Sequence, residues 1–402
     1  MTRRRIAVLG GGMLGSCAAL ELARRGESVT LVEGAPKLMQ GASRWNEGKI
    51  HLGYLYAADP TMRTAERLIP GGLAFRSLVE RHVGQSLDTF ATDDDLFLVH
   101  RDSVVNAEEF AGYASRVAEL VRQAASRHAT SYLCDVSRSG VQRLSSPELA
   151  RLSPSPRVVA GFRVNERSIS TRPVADLLIA AVAADSRVET RVDAHIDAVR
   201  RRDDARFELV TRAEGLGPFD IVINALWEGR PVVDASLGIL PPAPWSHRFR
   251  AAIFAKPSSV TLQSGVLCTG PFGDIKQYAD GRVYLSWYRA GLLAEGSDIE
   301  PPRARAALTC ERTDSVRRET LAALTEYFPA VSRLCADGDE LEVRGGWVYA
   351  IGEGSLGDRA STLHRRDKFR ITADGGYISV DTAKYSIAPW LAERVAEMVS
   401  GR

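Results

Sequence analysis

The stretch IAVLGGGMLG, residues 6–15, sets three glycines directly behind four apolar residues. An apolar strand that runs straight into glycine can bring its backbone close to another group, because no Cβ stands in the way. Read on to residue 33, the segment becomes IAVLGGGMLGSCAALELARRGESVTLVE. The spacing predicts a buried strand, a tight turn, a helix with a small-residue face (Ala18, Ala19, Ala23), a stop at Gly26 and a second parallel strand. Gly10, Gly12 and Gly15 stand at G-x-G-x-x-G spacing, and Glu33 ends the second strand 18 residues after Gly15. Gly10 permits the turn, and Gly12 lets the backbone beside Met13 and Leu14 approach a pyrophosphate. Gly15 lets helix and strand pack closely, while the helix N-terminus faces the negative charge. Glu33 is placed to accept hydrogen bonds from a ribose 2′-hydroxyl. The pattern predicts a dinucleotide-binding βαβ unit.

The adenine half of the ligand is common to FAD and NAD, so the fingerprint leaves the two open. The next stretch, GASRWNEGKIHLGYLYA (41–57), resembles the segment after the second strand in the D-amino-acid oxidase superfamily of FAD enzymes. That group includes glycine and sarcosine oxidases, L-2-hydroxyglutarate oxidase and glycerol-3-phosphate dehydrogenase. The run Asn46-Glu47-Gly48-Lys49-Ile50-His51-Leu52-Gly53 is similar to the N-S-G-x-I-H-x-G of the 2-hydroxyglutarate oxidases. FDIVINALWEGR (219–230) resembles the family's strand that ends in A-x-G beside the flavin, with Leu226-Trp227 in place of the small pair. GGYISVDTAKYSIAPWLAERVAEMV (375–399) resembles the closing segment of glycerol-3-phosphate dehydrogenases, with Ala383 where that pattern has glycine. The three blocks span the chain in the family's order.

The resemblance implies a mixed α/β fold in which a Rossmann-like FAD-binding domain is interleaved with an antiparallel-sheet substrate-binding domain. The expected division gives residues 1–85, 150–232 and 345–402 to the first and 86–149 and 233–344 to the second. Helices are predicted over 61–83, 107–128 and 170–184, and a long helical stretch over 302–335. The runs HRFRAAIFAK, RVYLSWYRAG and LEVRGGWVYA alternate as strands of an antiparallel sheet with one wet face.

The resemblance also implies the chemistry: hydride transfer from a substrate CH–NH or CH–OH group to flavin N5, with the protein orienting the substrate and setting the local charges. Asn46, Gly48, Ala225 and Trp227 are expected beside the flavin. Ala383, Lys384, Tyr385 and Ser386 are expected under it, where the last helix points its positive end at the ring. Ser43 and Arg44 are expected at the pyrophosphate. His51 is the candidate to accept the substrate proton or, equally, a histidine bonded to backbone under the flavin. Lys49 would favour the reduced flavin or oxygen chemistry, or else pair with Glu47 or phosphate. Tyr284, Tyr288 and Arg289 on one strand, together with Arg344, are candidates to anchor a substrate carboxylate, with Lys276, His364 and Arg365 behind them. Trp45 and Trp347 stand near the family's histidyl and cysteinyl flavin linkages, so the cofactor is expected to be FAD held non-covalently.

Other features narrow the partners. A net charge of +2 gives no reason to expect nucleic acid, and no apolar run is long enough to span a membrane. The five cysteines are scattered, with no CxxC pair, so neither a metal site nor a disulfide framework is expected and a cytoplasmic setting fits. The basic start before the apolar stretch is like a signal peptide, but cleavage would destroy the glycine pattern. The partners expected are a small molecule that can carry a carboxylate, and O2 or another electron acceptor. Two other functions remain open. One is a flavin monooxygenase using NAD(P)H and O2, for which no clear second nucleotide motif is present. The other is a non-redox flavin or nucleotide protein, for which no basic patch or partner-binding tail is present.

Overall fold

A computed structural model describes residues 4–127, 132–212, 215–242, 244–256, 260–336 and 340–401. The glycine-rich segment folds as its spacing predicts: strand β1 (Ile6–Leu9), helix α1 (Met13–Arg24) and strand β2 (Val29–Val32). Two constraints fix the turn between β1 and α1. Gly10 has φ +96°, and a Cβ on Gly15 would lie 1.8 Å from the Gly10 carbonyl oxygen. The helix can therefore lie on the strand only because both positions lack a side chain. Every residue of α1 from Met13 to Ala23 is buried, so its small residues serve close packing on both sides.

β1 and β2 are central strands of a six-stranded sheet. Its order is Arg370–Asp374, Tyr377–Asp381, Ile221–Asn224, β1, β2, Val188–Arg191. All neighbours run parallel except Arg370–Asp374. Four distant parts of the chain thus build one sheet. The C-terminal helix Ala388–Ser400 packs against α1 and against the helix Arg63–Val83.

The second sheet has nine strands, all paired antiparallel except Gly265–Cys268 with Asp95–His100. Its longest ladder joins Trp245–Ala255 to Leu341–Ile351 over 11 residues of each strand. Two strands within segments expected on the cofactor side, Val158–Val164 and most of Leu341–Ile351, belong to this sheet. Of the strands formed by the three runs expected to carry one wet face, Trp245–Ala255 and Val283–Trp287 have no exposed residue and Leu341–Ile351 has one, Arg344, and the neighbouring strands are more buried still. Asp95–His100 and Gly265–Cys268 are buried along their whole lengths. The reason is a helix on either side: Phe97 and Phe162 pack on Phe110 of helix Ala107–Arg127. Leu98, Leu267 and Leu285 pack instead with Val316 and Leu324 of helix Cys310–Tyr327.

Three further expectations meet the structure. The helices predicted at 61–83, 107–128 and 170–184 form as Arg63–Val83, Ala107–Arg127 and Thr171–Ala184, with residue 128 outside the described residues. The stretch 302–335 is a helix, Cys310–Tyr327, flanked by short turns. The strand carrying Tyr284 ends at Trp287, and Tyr288–Gly291 is a helical turn, so Tyr288 and Arg289 do not continue its alternation.

Two alanine substitutions separate the close-packed glycine from a merely helical one. Gly15→Ala, which must push the Gly10 carbonyl aside, is expected to cost at least about 1–3 kcal/mol. Gly112→Ala, in an exposed helix position with no atom within 4 Å, is expected to stabilise by about 0.5–1 kcal/mol. Urea unfolding of both variants checks the signs.

Candidate active site

The parallel strands β1, β2, Ile221–Asn224 and Tyr377–Asp381 end at one rim, and a cavity of about 870 Å³ opens there. Position follows from topology, because ligands of open α/β sheets lie beyond the carboxyl ends of the strands. Gly10, Gly12, Met13 and Leu14 line the cavity from the first turn. Met13 N–H donates to Ser43 Oγ at 2.9 Å, which ties the 41–53 loop to the start of α1. Glu33 also lines it. Its carboxylate accepts from Gly11 N at 2.7 Å and Ala35 N at 2.8 Å, and keeps lone pairs for a hydroxyl. Asn46, Ala225, Trp227, Ala383, Lys384 and Tyr385 complete this wall, and Ala388 brings the first residue of the C-terminal helix to it. Ala383, where the family pattern has glycine, holds φ +49°, the left-handed region that glycine enters more readily.

A second cavity, about 270 Å³, lies against the nine-stranded sheet. It shares Asn46, Glu47, Lys49, Trp347 and Lys384 with the first, so the two spaces have a common wall. Three arginines define its charge. Arg248 is 4% exposed; one of its nitrogens donates to Tyr288 Oη at 3.2 Å, while Nε and Nη2 are buried without a protein partner. Arg250 stacks over the Tyr288 ring at 3.8 Å and has its own unpartnered Nε. Arg366 donates to the Leu363 and Arg365 carbonyls, and its Nε is again unpartnered. Burial, then the neighbouring Arg248 charge, pushes the Arg366 pKa down to about 10. Buried donors of this kind call for an anion.

Behind the common wall lies a buried charge cluster. Lys49 and Lys276 both donate to Asp95, Lys276 at 2.6 Å. Burial would raise Asp95, but the two ammonium groups hold it below the usual carboxylate range. Lys276 is pushed down to about 8 by burial and by the charge of Lys49. Lys49 moves the other way, because Asp95 and Glu166 together outweigh its burial. Lys384 is also pushed down to about 8, by burial first and then by Arg366. His51 is held well below its ordinary value by burial and by Lys384, Lys49, Lys276 and Arg366, so its imidazole is neutral at neutral pH.

The sequence candidates divide accordingly. Lys49 and His51 line the larger cavity with the cofactor candidates named above. Tyr284, Tyr288 and His364 line the smaller one, and Lys276 lies beneath the wall. Seven candidates take other places. Arg344 shares the sheet face of Arg248 and Arg250, but it lies further along the ladder, opposite Ala252, where it is exposed, sits over the Trp45 ring at 5.7 Å and pairs with Glu342 at 2.7 Å. Arg289 is exposed on its helical turn, and Arg365 reaches towards Asp59 at 3.7 Å. Arg44 pairs with Asp176 at 2.7 Å. Gly48 stands off the cavity; with φ +62° it accommodates the Ile169 carbonyl, 1.8 Å from where its Cβ would be. Gly15 acts through helix packing, and Ser386 is buried just before the C-terminal helix. Arg248, Arg250 and Arg366 were not among the candidates. The signal was present for two of them: H-R-F-R places arginines at i and i+2, hence on one face of a strand.

The family model described as FAD dependent oxidoreductase (DAO) matches residues 5–397. The chain belongs to this family. The oxidoreductase is 25% identical over 224 residues to the glycerol 3-phosphate oxidase of Mycoplasma pneumoniae. That match covers 55% of this chain and 53% of the relative, about half the length of each. Among solved structures, glycine oxidase from Geobacillus kaustophilus matches with a TM-score of 0.68 at 15% identity, covering 99% of this chain and 95% of that one. The FAD-bound L-alpha-glycerophosphate oxidase of M. pneumoniae matches with a TM-score of 0.65 at 16% identity, covering 100% and 95%. The cofactor of the oxidoreductase is FAD. The residues present fit it: glycines where a Cβ would close the turn, a fixed acid at the end of β2, and a helix N-terminus at the far wall.

Asp95 is the one carboxylate that both Lys49 and Lys276 bond. Asp95→Asn is expected to cost about 3–5 kcal/mol by removing the carboxylate that both buried ammonium groups bond. Adding Lys276→Met is expected to recover part of that loss, and both effects are read from denaturant unfolding.

Proposed function

We propose that the oxidoreductase oxidises a CH–OH or CH–NH group of a small anionic molecule, a carboxylate or a phosphate ester, held in the smaller cavity. FAD, when bound non-covalently, supplies N5 as the hydride acceptor and passes the electrons to O2 or another acceptor. The observation that carries this reading is the common wall: a cavity fitted to FAD adjoins a cavity lined by unpaired guanidinium groups. Arg248, Arg250 and Arg366 bind and orient the anionic end, leaving the reacting carbon at the boundary. His51, neutral and two residues along from Lys49, accepts the hydroxyl or amine proton there. The name of the M. pneumoniae relative, a glycerol 3-phosphate oxidase, supports an anionic substrate with an oxidisable carbon. The parallel sheet serves the cofactor and the nine-stranded sheet the substrate. A reducing, cytoplasmic setting completes the reading, because Cys17, Cys134, Cys268 and Cys310 are free thiols. No helix among the described residues is long and apolar enough to cross a membrane.

The test is anaerobic bleaching of the yellow protein by panels of hydroxy acids, amino acids and phosphate esters. A substrate that bleaches it unaided is expected; a requirement for NAD(P)H would establish the monooxygenase instead. For that substrate, Arg248→Met is expected to raise KM at least 30-fold, since removing one partner of a buried charge pair costs about 2–5 kcal/mol.

A pH dependence follows from Lys384, which lines both cavities. Its charge, which favours an anion, is lost as pH rises through about 8. KM is therefore expected to rise above that pH, and Lys384→Met to flatten the profile.

A further inference from the structure

Glu166 stands in the short turn between Val158–Val164 and Arg167–Ser168 and is fully buried, yet neither cavity includes it. Its Oε2 accepts from the backbone of Leu52 at 2.6 Å and of Gly53 at 3.1 Å, the two residues that follow His51. The carboxylate is thereby locked to the chain that carries the histidine. Its other oxygen, Oε1, has no hydrogen-bond partner, and neither has His51 Nδ1; these two buried atoms face one another at 4.0 Å. The histidine's own backbone is pinned as well, because its carbonyl oxygen lies 2.3 Å from where a Cβ on Gly72 would stand. The gap is about 1 Å longer than a hydrogen bond, a distance that a small ring rotation or one bridging water closes.

We infer that Glu166 is the positioning residue for His51: it holds the proton on Nδ1 and leaves Nε2 as the acceptor towards the cavity. The inference rests on reading His51 as the proton acceptor. A substrate O–H or N–H proton moves to Nε2 as the C–H hydride leaves for the cofactor, and the imidazole then carries protons on both nitrogens. That cation forms among Lys49 two residues before it, Lys276 on the sheet, Arg366 on the loop and Lys384 before the last helix, with the Tyr56 ring alongside at 5.4 Å. Four cations oppose the charge. Glu166 is the carboxylate that faces the ring; its Oε1 stands 3.9 Å from the Lys49 ammonium and 4.0 Å from His51 Nδ1, and its fixed orientation selects the productive tautomer beforehand.

Glu166→Gln is the discriminating variant. The amide oxygen still accepts from Leu52 and Gly53, but the amide N–H2 now faces Nδ1 and forces the proton to Nε2. The wild-type nitrogen NMR spectrum, with His51 assigned by loss of its signals in His51→Gln, is expected to show Nδ1 protonated. In Glu166→Gln the tautomer is expected to invert. The anaerobic flavin-reduction rate should fall about 100-fold or more, the loss typical of a removed general base, while KM changes less than threefold; Glu166→Asp should restore part of the rate. A wild-type Nε2–H tautomer overturns the inference whether or not the variants fold. So does a Glu166→Gln protein that reduces at the wild-type rate while His51→Gln is inactive. An active His51→Gln instead removes the proton-acceptor reading beneath it.

Discussion

Asp95 joins the two halves of this molecule. Lys49 comes from the loop that leaves the parallel sheet, Lys276 from a strand of the nine-stranded sheet, and both ammonium groups reach the same buried carboxylate. Such a cluster adds little net stability, because removing charges from water costs about as much as their attraction returns. Its effect is positional. With Lys49 tied to the sheet, the 41–53 loop has one place to lie, and the wall between the two cavities is set by it.

The same cluster leaves the site with surplus positive charge. Lys49 and Lys276 share Asp95, with Glu166 3.9 Å from Lys49, and three arginines beyond them present donors that no atom of the described residues accepts. A folded chain tolerates this where a ligand supplies the missing anion, which is how a destabilised site becomes a selective one. The surplus also keeps His51 neutral and Lys384 easily discharged, so the charges proposed to attract an anionic substrate also tune the groups beside it.

Much of the fold was legible because its signals are local. The βαβ unit needs only apolar runs, three glycines and one acid at set spacings. The helices near 63–83, 107–127 and 171–184 declare themselves by periodicity. The candidate site was legible where it lies on the glycine turn and the 41–53 loop, and poorly legible elsewhere. Choosing Arg344 over Arg248 turns on where along one shared sheet face the cavity lies, and choosing Arg365 over Arg366 on which way a loop turns its side chains. That depends on the partner element, which no local pattern carries. The expected wet face failed likewise, because two helices far apart in the chain cover both sides of the central strands.

By itself the sequence determined the dinucleotide turn, since only residues without Cβ atoms let helix and strand approach so closely, and it determined the acid at the end of β2. Tertiary structure decided which arginines face the smaller cavity, which lysines share Asp95, and that Glu166 stands beside His51. Those are meetings between residues tens to hundreds of positions apart, and their energies exist only once the sheets have brought them within a few ångströms.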